Sequence, residues 1–154
     1  MDLQIKQIID IDENTLNTIT TWVYDWHRKR GSSTFDGVKG FMKHCMQKDR
    51  FPQTYGLFLD NNIIGMFQIT DKDLSGRPWL LNVYIDEKYR NMGYGRKLIE
   101  SVASMAIKNT NFKELFLYTG NIGLYEKFGW QFVPKKNIYS DEPGIQRLYK
   151  LDLK

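Results

Sequence analysis

YRNMGYGRKLIESV, residues Tyr89 to Val102, places Gly93 and Gly95 one residue apart at the start of a helical stretch, with Arg90 three positions ahead of the first glycine. Glycine gives up more conformational freedom on folding than any other residue, so a pair of them here answers a steric demand. One such demand is a ligand pressed against bare backbone N–H groups. Those groups, with the positive end of the helix dipole, favour an anion. Arg90, Arg96 and Lys97 add charge around it.

Two common anion-binding patterns do not fit. A phosphate-binding loop needs a glycine, four residues and then Gly-Lys-Ser/Thr, and no glycine here leads to that ending. The dinucleotide fingerprint G-x-G-x-x-G starts at Gly93 and Gly95 but ends on Leu98. It also requires its glycines in the tight turn directly after a strand. Here seven residues, Asp86 to Met92, lie between the strand WLLNVYI (Trp79 to Ile85) and Gly93.

Outward from the loop, apolar periodicity predicts the other elements. LQIKQI over 3–8 alternates as a half-buried strand. After Asp12, an N-cap, Leu16, Ile19, Val23 and Trp26 fall at helical spacing. A second helix begins after Ser33 with Phe35, Val38, Met42 and Cys45 on one face. TYGLFLDNNIIGMFQIT reads as a hairpin turning at Asn61-Asn62, since asparagine tolerates the left-handed backbone of tight turns. The glycine-bearing helix runs from about Gly93 to Lys108, and KELFLYT over 113–119 is a buried strand. GLYEKFG is a short helix closed by Gly129, and WQFV and QRLYKLDL supply two final strands. The order is β α α β β β α β α β β, an α/β domain with helices on both faces of a central sheet.

The chain has 154 residues, 42% hydrophobic and 26% charged, which fits one globular domain over 1–154 with a sizeable core. No apolar run approaches the roughly 20 residues that span a bilayer. The acidic start MDLQIKQIIDIDENT lacks the features of a signal peptide, so a cytoplasmic location without membrane association is expected. Cys45 is the lone cysteine; it rules out an internal disulfide framework and reads as core. The net charge of +4 permits an anionic partner, but its basic residues lie scattered apart from HRKR and Lys135-Lys136, which speaks against nucleic acid. His27 and His44 are not at metal-ligand spacing with each other or with a cysteine, so no metal is expected.

Two elements taken together identify the chain. Arg90, Asn91, Met92, Gly93, Tyr94 and Gly95 follow the pattern Arg/Gln-x-x-Gly-x-Gly/Ala between strand and helix. Further on comes NIGLYEKFGW, Asn121 to Trp130. In this order and context they resemble the GNAT superfamily of acyl-CoA-dependent N-acyltransferases, closely over roughly residues 50–133. The resemblance implies a GNAT-like fold: a mixed, mostly antiparallel, twisted sheet whose central strands splay.

It also implies the donor, acetyl-CoA, with acetyl as the family default. The pyrophosphate of coenzyme A would lie on the N–H groups from Met92 to Arg96. Its pantetheine arm would run along the strand edge at Val83, Tyr84 and Ile85, opposite Phe116 to Tyr118, with Asn121 near the gap. Tyr125 would be the general acid that meets the departing thiolate. The span from Asn121 to Tyr125 is shorter than the family's usual gap.

The acceptor would be a primary amine of a small molecule or peptide, attacking directly in a ternary complex, with the protein a monomer or homodimer. By position in the family, Trp22, Asp25 and Trp26 line the acceptor pocket unless the two tryptophans are simply core; Trp79 and Tyr84 lie near the expected transfer centre unless they too are core packing, and Asn82 is a further substrate candidate. Many family members carry a glutamate base on the strand corresponding to WLLNVYI, which here contains no acid. Water held by backbone carbonyls and Asn82 or Tyr84, or a base such as Asp25, His27 or Asp73, would replace it. A non-catalytic acyl-CoA-binding domain of the same fold is the alternative.

Overall fold

Alternating side chains make LQIKQI the edge strand β1 (Leu3–Ile8), and Asp12 Oδ1 accepts from Thr15 N at 2.7 Å to start α1 (Glu13–His27). The structure, a computed structural model, describes the chain except residues 1, 28–32, 72–75, 110–111, 120–122, 135–146 and 154 and the side chains at 27 and 109. The second helix, α2 (Phe35–His44), is capped by Thr34, whose side chain accepts from Gly37 N, one residue beyond the expected start. Then come β2 (Gln53–Leu59), β3 (Asn62–Thr70), β4 (Trp79–Ile85), α3 (Tyr94–Asn109), β5 (Glu114–Thr119), β6 (Gln131–Phe132) and β7 (Arg147–Asp152). Single 3-10 turns span Glu87–Tyr89 and Tyr125–Phe128.

The hairpin between β2 and β3 turns on Asp60 and Asn61, φ 49° and 70°, one residue earlier than the sequence suggests. A two-residue loop with both φ values positive matches the twist of the strands it joins, and that match selects the register.

The strands form one sheet in the order β1-β2-β3-β4-β5-β7-β6. Every adjacent pair is antiparallel except β4 and β5, which run parallel. Helices α1 and α2 bury Leu16, Ile19, Trp22, Val23, Val38 and Met42 against Met66 of β3 on one face. On the other, α3 sinks Leu98, Ile99, Val102 and Ala106 among Tyr55, Leu57, Phe67, Leu80, Leu115 and Tyr149. Cys45 is fully buried, and burial pushes its thiol up to about 12, so it is inert core. The expected apolar face of α1 fails at its last member: Trp26 is 41% exposed, and Trp22 packs instead. Among the described residues, no helix is long and apolar enough to cross a membrane.

Candidate active site

The single parallel pair is where the sheet comes apart. β4 and β5 share one registered pair, Trp79 opposite Phe116; beyond it, residues 80–85 and 117–119 make no ladder to each other. Trp79 stacks on Tyr118 at 4.9 Å between centroids and lies 5.9 Å from Phe116, an aromatic plug at the closed end of the splay. Trp79 is 9% exposed and belongs to a small core of its own with Phe116 and Leu148, which fits the core-packing side of its two readings. Past the plug, β4 keeps β3 on one side and opens a backbone edge on the other. An amide-rich extended chain can hydrogen-bond to such an edge.

A bulge directs the side chains of the opened segment. Met66 pairs with Tyr84 and Gln68 with Leu81, so Asn82 and Val83 together face Phe67. Asn82 takes φ +50°, which asparagine tolerates better than most residues. The bulge turns Asn82 and Tyr84 to the α1/α2 face, while Val83 and Ile85 pack toward α3.

On the α1/α2 face, Tyr84 stacks on Trp22 with centroids 5.1 Å apart, and the Arg90 guanidinium lies 5.1 Å over the same ring. Arg90 also donates from Nε to Ile85 O at 2.8 Å, tying the loop to the end of β4 and leaving its terminal nitrogens for another partner. The sequence reading gave Arg90 a charge role alone; the structure adds this splint. Asp25 and Trp26 stand exposed at the end of α1, whereas Trp22 is buried.

The loop explains its own glycines unequally. Asn91 and Gly93 take φ +63° and +86°, so Gly93 answers a backbone requirement. A Cβ on Gly95 would meet only Ile85 Cγ1 at 3.9 Å, ordinary contact, so nothing within the protein demands glycine there. Lys97 N donates to Gly93 O at 3.3 Å in the first helical bond, leaving the N–H groups of Tyr94, Gly95 and Arg96 without helical partners. Left-handed residues beside a helix start gather N–H groups into an anion-binding concavity. Met92 is 62% exposed and Asn91 exposed, both at the mouth of that loop. The cradle fits a pyrophosphate: donors free, room for the ligand, and Arg96 and Lys97 beside it.

The second motif folds against the first. Arg96 Cζ lies 5.7 Å over the Phe128 ring, joining the start of α3 to LYEKFG. The 3-10 turn ends on Gly129, φ +89°, whose N–H and that of Trp130 close back on Glu126 O and Tyr125 O. Tyr125 is 7% exposed, edge-on to Trp130 at 5.8 Å and 6.4 Å from Tyr149, in the same core as Val83, Ile85 and Tyr94. Burial pushes its phenol up to about 12, so it stays protonated through the neutral range. Its hydroxyl makes no hydrogen bond to a described residue. Tyr149 OH donates to Glu126 Oε2 at 2.9 Å and pins the turn to β7, a tie the sequence did not reveal.

Asn121 and Asp73 lie outside the described residues, as do Arg28 to Arg30 and Lys135-Lys136. Asp71 and His44 are exposed. No cluster of three metal-ligating side chains occurs among the described residues.

The comparisons with known proteins agree with this geometry. The acetyltransferase (GNAT) family model matches residues 16–130. Spermine/spermidine N(1)-acetyltransferase of Bacillus subtilis (strain 168) is 31% identical over 104 residues, 60% of this chain and 68% of that protein. Among solved structures, an N-acetyltransferase from Staphylococcus aureus Mu50 superposes with TM-score 0.74 at 14% identity over 100% of both chains. N-acetylglutamate synthase from Neisseria gonorrhoeae, complexed with coenzyme A and N-acetyl-glutamate, superposes with TM-score 0.68 at 13% identity, covering 100% of this chain and 36% of that one. The chain belongs to the GNAT acetyltransferase family. It is an acyl-CoA-dependent acetyltransferase, and its family takes acetyl-CoA as donor.

Proposed function

We propose that this single-domain, cytoplasmic enzyme moves the acetyl group of acetyl-CoA onto a primary amine of a small polyamine-like molecule, by direct attack in a ternary complex. The observation that carries the reading is the splay beyond Trp79 and Phe116, with the glycine loop at its end and Tyr125 on the α3 side. A thioester held on the β4 edge would be open to the α1/α2 face, where an amine could approach without displacing the donor. The named relative's acceptor supports the polyamine class.

Each residue has a role in this reading. Backbone N–H groups at 94–96, with Arg90 and Arg96, hold the pyrophosphate; the β4 edge at 83–85 holds the pantetheine arm, to which the family resemblance also assigns Asn121. Tyr125 donates a hydrogen bond to sulfur as charge builds there. The test is thiol release from acetyl-CoA with spermidine, spermine, an aminoglycoside, free amino acids and a short peptide as acceptors, varying both substrates. Intersecting double-reciprocal lines with a polyamine as best acceptor are expected. Parallel lines with an isolable acetyl-enzyme would overturn direct transfer, and turnover confined to the peptide would overturn the acceptor class.

A further inference from the structure

A buried polar chain crosses the sheet beneath the acceptor face, and its direction can be read. The Thr54 hydroxyl donates to Cys45 O at 3.0 Å. Having spent its only proton, that oxygen can only accept from Gln68, 3.0 Å away, so Gln68 presents Nε2 to it. The same Nε2 lies 3.7 Å from Met42 Sδ, an acceptor as well. Gln68 Oε1 is therefore turned toward Asn82, and at 2.6 Å the group facing an acceptor oxygen must be Asn82 Nδ2. Thr54 is 0% and Gln68 1% exposed, so neither can exchange its partners for water without leaving a buried group unpaired. The end of the chain follows: Asn82 Oδ1 is the atom left over, on the half-buried bulge residue where β4 leaves β5.

We infer that Gln68 is a positioning residue that locks Asn82 with its carbonyl oxygen, not its NH₂, free for the amine acceptor. This rests on the amine-acetylation reading above. A neutral amine about to attack has N–H groups to donate and a lone pair to aim. An acceptor oxygen on the bulge takes one N–H and turns the lone pair away from itself, toward the splay. A flipped Asn82 would present donors to that nitrogen and compete for the lone pair. Strand β4 carries no carboxylate to do this, so the polarity must come from an amide, and an amide has polarity only if something fixes its flip. Gln68, through Thr54 and Cys45 O, fixes it.

The experiment compares Gln68→Met with Gln68→Glu in steady-state kinetics on the best amine, alongside acetyl-CoA binding by calorimetry and thermal melts. Methionine fills the site but cannot hold the flip. A buried glutamic acid in its neutral form offers C=O to Asn82 and O–H to Thr54, so it preserves the direction. Gln68→Met is expected to lose about ten-fold in kcat/KM for the amine with acetyl-CoA affinity within two-fold, and Gln68→Glu to keep most of the activity. In a double-mutant cycle, Gln68→Met added to Asn82→Ala should cost nothing more. A pure packing role predicts the reverse ranking, methionine above glutamate, and either that ranking or additive losses overturns the inference. If the position 68 variants do not fold, the shape-conserving Thr54→Val decides: unchanged amine kinetics overturns it, and a selective loss supports it. A wild-type protein that acetylates no amine would overturn the functional reading and this inference with it, whereas an active wild type with a fully active Gln68→Met removes only the inference.

Discussion

The two faces of β4 were built in different ways. On the α3 face, Val83 and Ile85 meet the glycine loop and Tyr125, and the parts lie in two short sequence stretches: helix start, positive-φ glycine, capped 3-10 turn. On the α1/α2 face, Asn82 is held by Gln68, 14 positions away, and Tyr84 by Trp22 from a different helix. In the proposed function the donor side is thus a set of local backbone devices, and the acceptor side a set of long-range side-chain pairs. A site of the first kind can be retained as a motif while the second is rebuilt for another amine.

The sharpest way to test that division is to remove one atom from the donor side. Tyr125→Phe keeps the ring against Trp130 and Tyr149 and deletes the hydroxyl. Turnover should fall by about 10²-fold while coenzyme A affinity and amine KM barely move. With the phenol up at about 12 and a thiol near about 8.5, full proton transfer to sulfur is uphill by about 5 kcal/mol in isolation. The benefit then comes mainly from the hydrogen bond to the departing thiolate. Stopped-flow thiol release checks it; near-normal turnover would take Tyr125 out of the mechanism, and a shifted amine KM would place it on the acceptor side.

The same burial has a signature in stability. The folded pKa of Tyr125 is raised above its unfolded value of about 10, so its contribution is fully present below about pH 10 and is lost as pH rises toward about 12. Urea midpoints should fall more steeply between those values in wild type than in Tyr125→Phe, by up to about 2–3 kcal/mol. Cys45 falls in the same alkaline window in both proteins and cancels from the comparison. Parallel curves would mean that the phenol is better solvated than its surroundings indicate.

What the sequence disclosed follows the same division. β1 and β4 were legible to the residue because alternation and apolar runs are local signals, and the GNAT resemblance rested on Arg90–Gly95 and Asn121–Trp130. The hairpin slipped by one residue because Asp60 and Asn62 are both plausible companions for Asn61, and only cross-strand pairing chooses between them. Trp26 was placed on the core face by spacing alone, which cannot tell how near the helix end the core stops. Gln68 gave one hint, an amide in the otherwise apolar run IIGMF and IT, yet its partners Thr54 and Asn82 could not be named without the fold. The bulge at Asn82 was invisible, since WLLNVYI reads as an unbroken strand.

Arg90 sits on the boundary between the two faces, and its replacement is the way to blur them. If its free guanidinium nitrogens bind phosphate, Arg90→Ala should raise the acetyl-CoA KM by about 10-fold or more, the scale of a charge-assisted hydrogen bond. Its cover over Tyr84 offers a second route. An effect confined to the amine KM would mean that Arg90 serves the Trp22–Tyr84 wall and belongs to the acceptor side. Initial rates across a grid of both substrates separate the two outcomes.

The smallest expected effect separates the two glycines of the loop. At Gly95 the backbone is helical and a Cβ would touch only Ile85 Cγ1 at 3.9 Å, so Gly95→Ala should stabilise the protein by up to about 1 kcal/mol, the usual helix preference for alanine. The same methyl group would stand where a pyrophosphate must meet the N–H groups, so coenzyme A should bind several-fold more weakly in calorimetry. Gly93→Ala reverses the first sign: φ of +86° strains any side chain there, and stability should drop by about 1 kcal/mol or more although no atom lies within 4 Å. A Gly95→Ala protein that melts higher and binds coenzyme A less tightly shows that this glycine is kept for a ligand rather than for the fold. Higher stability with undiminished affinity would remove the cradle from the donor side and leave Gly93 explained by its turn alone.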